Sequence, residues 1–174
     1  NALNNVNGDM SAYCLSVFAR KSLLDNKASI GIGADIYSGN DGVKGRSDES
    51  YKKVQHKFNS LYGNRHSLLG YMDFYTSIPD QGIQDFMLKA ECKLNRDVLL
   101  QADYHLFYLN NKGYDVVNND QLADNNLGSE LDLTLQWKVM KDVTIQAGYS
   151  FYQATETLEK WKKVYNKDTQ FPQF

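Results

Sequence analysis

From Phe86 to Leu94 every second residue is apolar: Phe86, Leu88, Ala90, Cys92 and Leu94. Asp85, Met87, Lys89, Glu91 and Lys93 take the positions between, so every charge lies on one side. A period of two is the side-chain period of an extended strand and does not suit a helix. The pattern recurs. Val98, Leu100, Ala102, Tyr104, Leu106 and Tyr108 oppose Gln101, Asp103 and His105. Leu131, Leu133, Leu135, Trp137 and Val139 oppose Glu130, Asp132, Thr134, Gln136 and Lys138. Val143, Ile145, Ala147, Tyr149 and Phe151 oppose Thr144, Gln146, Gly148, Ser150 and Tyr152. Upstream, Tyr13, Leu15, Val17 and Ala19 alternate with Cys14, Ser16 and Arg20. Ile30, Ile32, Ala34 and Ile36 then alternate with Ser29, Gly31, Gly33 and Asp35. Six such runs predict an all-β chain. Aromatics at 13%, with 12 Tyr and only 2 Pro, suit long unbroken strands.

Tight connections at Leu24–Lys27, Asn95–Arg96 and Met140–Lys141 join the runs in pairs. The second and third pairs are alike in sequence: Lys93, Asp97, Val98, Gln101, Ala102 and Tyr104 reappear, equally spaced, as Lys138, Asp142, Val143, Gln146, Ala147 and Tyr149. Such repetition predicts an antiparallel up-and-down meander of hairpins at about 11–38, 83–109 and 128–154. Long polar segments follow each pair, at residues 39–82, 110–127 and 155–170. Tight turns therefore gather at one end and long loops at the other. Val54, Phe58, Leu61 and Tyr62 are spaced like one face of a short helix, as are Leu158, Trp161 and Tyr165. The segment from His66 to Thr76 looks strand-like, but one more crossing would move the Asn95–Arg96 turn to the long-loop end. It is therefore expected inside the long loop, folded inward. At 174 residues, a single domain over 1–174 is expected.

Alternation of this length has two physical explanations. A soluble lipocalin-like barrel would turn its apolar stripe inward, to a core or a small apolar ligand. A transmembrane outer-membrane barrel inverts this, with apolar residues on lipid and charges on a wet lumen. Runs of about ten to fourteen residues approach what a tilted strand needs to cross a bilayer. Tyr104, Tyr108, Trp137, Tyr149 and Phe151 sit toward the ends of the apolar stripes, as interfacial girdles do. The asymmetry of turns and loops matches too, and the membrane barrel is preferred. No apolar run exceeds four residues, which excludes a transmembrane helix. No secretory apolar segment is present, and the chain starts at Asn1, so a processed or cut N-terminus is expected.

Leu61-Tyr62-Gly63-Asn64-Arg65-His66, with Gly70-Tyr71-Met72-Asp73-Phe74, resembles a segment of the alginate-export-type outer-membrane barrels of Gram-negative bacteria. So do Gly128-Ser129-Glu130-Leu131-Asp132-Leu133, the run from Lys141 to Ser150, and Thr155-Glu156-Thr157. The resemblance extends from about Ser29 onward. It implies a substrate-conducting, porin-like channel of the cell outer membrane and does not by itself imply alginate. Barrels of this kind have at least about eight strands, so six runs predict the C-terminal portion of a larger barrel. The polar stretch Asn166–Gln170 and Pro172 before Phe174 predict a cut just before a last strand.

Catalysis finds little support. His56, His66 and His105 stand in no metal-protease spacing, and no nucleophile elbow or phosphate loop occurs. Gly31-Ile32-Gly33 lacks the third glycine and the helix of a dinucleotide fingerprint. Asn40-Asp41-Gly42 with Asp48 and Glu49, and Asp115 with Asn118, Asn119, Asp120 and Asp124, could offer oxygens to Ca²⁺ but lack EF-hand spacing; turn chemistry explains them better. Cys14 and Cys92 fall on opposite faces, too far apart to pair. No catalytic residue, metal or cofactor is expected. The polar face is the part that could bear function: Asp35, Asp85, Lys89, Glu91, Lys93, Asp103, His105, Glu130, Asp132 and Lys138 are the expected pore-lining residues. Antiparallel pairing should bring Lys89 near Asp103. Expected partners are outer-membrane lipid and lipopolysaccharide, a polar solute or anionic saccharide, and the missing remainder of the barrel. A net charge of −2 argues against nucleic acid.

Overall fold

The computed structural model of the chain describes residues 9–59, 69–115 and 118–162. Its strands are β1 (Asp9–Met10), β2 (Cys14–Leu23), β3 (Ala28–Tyr37), β4 (Val54–Gln55), β5 (Ile83–Lys93), β6 (Val98–Leu109), β7 (Asn126–Met140) and β8 (Val143–Ala154). Short helices α1 (Lys44–Ser47) and α2 (Glu156–Lys162) lie in the connections. The six long strands form one sheet in the order β2-β3-β5-β6-β7-β8, each antiparallel to its neighbour. This is the expected up-and-down meander. It does not close, because β2 and β8 are its two edges. Among the described residues no helix is long and apolar enough to cross a membrane.

Local chemistry fixes the hairpins. Leu24, Asp25 and Asn26 all take positive φ, which lets the chain reverse between β2 and β3 within four residues. The repeated sequence folds into the same register twice, with Lys93 opposite Leu99 and Lys138 opposite Thr144. At the far end Gly39 and Gly82 lie back to back, so that a Cβ on Gly39 would stand 1.8 Å from the Gly82 nitrogen. Only glycine lets the two ends of the first long loop meet there.

Burial separates the two faces. Leu133 is 43% exposed and Tyr149 67%, whereas Asp85 and Glu130 are 0% exposed. Apolar stripes that remain open while carboxylates are covered are the inverse of a water-soluble core. The lipocalin-like alternative requires the opposite assignment. The hydrophobic core lies at the long-loop end, where Ile83, Phe107, Leu109 and Leu127 meet Leu69, Tyr75, Ile78, Leu122 and Leu158 of the connections. Leu127 joins it because a register shift between Phe107 and Tyr108 adds one residue to β7.

Three expectations need correction. Val54 and Phe58 do not share a helix: Tyr51–Lys53 is a 3-10 turn, and β4 pairs in parallel with β1, placing Asp9 opposite Val54. A β-branched residue with an available strand partner favours extension over a short exposed helix. Leu61 and Tyr62 of that helix, and Tyr165 of the later one, lie outside the described residues, as does the stretch from Asn166 to Phe174. Tyr104 and Tyr149 stand mid-strand, opposite Leu131 and Leu133, because Leu106 and Tyr108 follow Tyr104 in β6 and residues 150–154 follow Tyr149 in β8. Tyr108 and Trp137 do lie toward strand ends. Thr134, expected to face water, is buried.

Candidate functional site

All ten expected wall residues lie on the polar face, and the register divides them into two zones. Toward the long loops lie Asp35, Asp85, His105, Glu130 and Asp132, all buried. His105 Nδ1 is 2.7 Å from Asp85 Oδ2, and its Nε2 is 4.0 Å from Asp132 Oδ2. His105 is hydrogen-bonded to Asp85; among the described residues no group of three or more His, Cys, Asp or Glu side chains is arranged to hold a metal ion. One oxygen each of Asp85, Glu130 and Asp132 has no hydrogen-bond partner among the described residues.

A strap covers the acidic zone. Residues 69–82 leave the long loop and cross the polar face, bringing Leu69 and Tyr75 into burial. The expected inward fold is thus seen for 69–76, while 66–68 lie outside the described residues. The Met72 backbone N–H donates to Glu130 Oε1 at 2.8 Å and that of Tyr71 to Asp132 Oδ2 at 3.3 Å. Gly70, at φ +82, lies so close that a Cβ would stand 2.5 Å from Glu130 Oε1. Further along, the hydroxyls of Tyr75 and Tyr152 are 2.7 Å apart, and Phe74 stacks on Tyr152. Burial first, then the neighbouring Tyr152, pushes the Tyr75 phenol well up. From α2, Lys162 Nζ donates to the Phe74 carbonyl at 2.7 Å, and burial lowers its ammonium pKa.

Toward the tight turns the polar face carries a ladder across five strands. Gln136 donates to Gln101 at 3.0 Å and Gln101 to Glu91 at 3.2 Å. Glu91 pairs with Arg20, whose Nε donates to Ser29 at 3.0 Å. One row nearer the strap, Lys89 Nζ and Asp103 Oδ2 are 2.8 Å apart. Lys93 and Lys138 are not drawn into these pairs. Both are exposed and line a recess of about 320 Å³ together with Arg96, Asp97, Gln136 and Thr144.

Sequence reasoning missed Arg20 as a member of the polar-face ladder, the strap's two backbone donors and the Tyr75–Tyr152 pair. Arg20 was legible from its parity in β2; the others depend on a loop's path, which carries no periodic signal. The acidic loop clusters serve turns. Asp41 Oδ1 accepts from the Val43 and Lys44 N–H groups, and Asp48 from those of Ser50 and Tyr51. The Ser50 hydroxyl, then those N–H groups, hold Asp48 below the ordinary carboxylate range. Cys14 and Cys92 are both free.

A family model described as alginate export matches residues 24–170. Comparison with curated proteins and with solved structures gives no match.

Proposed function

Since the chain belongs to the alginate export family, a family of outer-membrane transport proteins and not of enzymes, we propose that its sheet is one wall of a porin-like channel in the cell outer membrane of a Gram-negative bacterium. The wall passes a polar solute, with an anionic saccharide as the favoured class, passively and without a cofactor or covalent step. The carrying observation is the inversion of burial, with Glu130 and Asp85 covered beside exposed Leu133 and Tyr149. A bilayer accommodates this inversion, and water does not. Lipid and lipopolysaccharide cover the apolar face in this reading, and the remaining strands of the barrel pair with the open backbone of β2 and β8.

The wall's chemistry suits a polar cargo. Charges of both signs on one face order water and offer successive weak contacts, which permits entry without trapping. The strap narrows the long-loop half and leaves the ladder half open, so solute meets the exposed Lys93 and Lys138 at the tight-turn mouth. Planar-bilayer recording of the complete protein, extracted in detergent from outer membranes, tests the reading. Ion conductance reduced by added saccharide is the expected result. A protein that stays soluble without detergent and conducts nothing would overturn it.

A further inference from the structure

Among the exposed large apolar side chains of the strands, Phe18 alone lies on the polar face away from a strand end, and it is 48% exposed. On the lipid side such a residue would be ordinary. On a face whose other exposed side chains away from strand ends are charged, polar or small it needs a reason. Part of the reason lies beneath it. Phe18 is opposite Gly33, and Cβ atoms on Gly31 and Gly33 would stand 2.5 and 2.7 Å from its ring atoms. The ring thus covers two bare stretches of strand backbone, a known way of supporting strand glycines.

That accounts for one side of the ring and leaves the other open. Met87 borders it across Gly33. In the next register row toward the tight turns, Arg20 and Lys89 flank Gly31 on the same face. The Arg20 guanidinium engages Glu91 and Ser29, and Lys89 engages Asp103, so both cations are held in place. A rigid aromatic surface beside fixed donors and acceptors matches a pyranose, which has an apolar C–H face and a polar rim. We propose that Phe18 is a stacking platform for a sugar ring, with Arg20 and Lys89 facing that ring's hydroxyl or carboxylate groups.

This rests on the channel reading above, and the test separates the two. The complete barrel is recorded in planar bilayers with an alginate oligosaccharide and with a neutral malto-oligosaccharide as probes. Phe18→Leu keeps an apolar cover over Gly31 and Gly33 but removes the aromatic face; Phe18→Trp enlarges that face. Both probes should interrupt the wild-type current. Phe18→Leu should shorten the interruptions by about tenfold, and Phe18→Trp should preserve or lengthen them. Interruptions of equal length in wild type and Phe18→Leu would overturn the platform alone; a conducting wild type that neither sugar interrupts would overturn both the platform and the saccharide cargo. Absence of any wild-type conductance would instead overturn the channel.

Discussion

Lys89 on β5 and Asp103 on β6 are register partners whose charged atoms are 2.8 Å apart on the polar face. Both side chains are partly covered, so the pair is worth about 1 kcal/mol, near the upper end for exposed pairs. Lys89 therefore differs from Lys93, although the sequence places them on one stripe. Lys89→Glu would set two carboxylates opposite each other and weaken folding. Lys93→Glu with Lys138→Glu reverses two exposed charges at the tight-turn end, neither in an ion pair among the described residues, and should leave folding intact. Reversal potentials under a salt gradient should shift toward cation preference in that double variant. An unchanged potential in the folded variant would remove these lysines from the conduction path.

The assignment of faces can be tested at β7. Leu133 lies mid-strand opposite Ala102 and Tyr149, so Leu133→Arg should lower folding stability in lipid by about 2–4 kcal/mol. Gln136→Arg is the matching change on the polar face and should be much milder. Thr134→Arg would be a poor control, because Thr134 is buried. Urea titration of barrels folded into vesicles measures both. Equal losses would dissolve the distinction between lipid face and wall.

The strands were legible because period two is a local signal that tertiary contacts reinforce here. Charges at Asp85, Lys89 and Glu91 keep the same parity that burial later reveals. The repeat between the second and third hairpins even carried the register of Lys93 and Lys138. Parity also placed all ten expected wall residues on one face, yet it could not say which would pair. His105 reaches Asp85 on a diagonal, from the row where Met87 is its direct partner. The strap's inward course followed from counting crossings, but its anchorage was beyond reach for another reason. Its anchors, the Met72 and Tyr71 N–H groups, belong to backbone, which is the same for every sequence. Only Gly70 hints at it, through a left-handed φ that a lone glycine in a loop does not advertise.

The strap's anchorage at Glu130 gives a further expectation. Glu130→Ala removes the acceptor of the Met72 N–H, whereas Glu130→Gln keeps an oxygen there. Loss of a buried acceptor costs about 1–3 kcal/mol, so hydrogen exchange at Met72 should accelerate strongly in Glu130→Ala and little in Glu130→Gln. Gly70→Val should resemble the alanine variant, since its side chain would strike the carboxylate and its φ would be strained. Slow exchange in all three would show that the strap is held elsewhere.

The Tyr75–Tyr152 contact should respond unequally to loss of either hydroxyl. Tyr152 donates to the Leu127 carbonyl at 3.1 Å, which leaves its oxygen to accept from Tyr75 at 2.7 Å. In Tyr75→Phe, Tyr152 keeps its own acceptor and loses only a donor. The loss should be about 0.5–1.5 kcal/mol, that of an ordinary net hydrogen bond. In Tyr152→Phe, the Leu127 carbonyl loses its phenolic donor and the buried Tyr75 hydroxyl loses its acceptor. Two groups then forfeit partners at once, and the loss should exceed that of Tyr75→Phe by about 1 kcal/mol or more. Phe74 and Phe107 continue to stack on the ring in either variant, so apolar packing is nearly constant between them. Urea titrations of the two single variants and the double variant complete the cycle. In the double variant the Tyr75 hydroxyl is no longer stranded, so it should be no less stable than Tyr152→Phe alone. A Tyr75→Phe variant as damaged as Tyr152→Phe would mean that the proton order runs the other way, with Tyr152 donating to Tyr75.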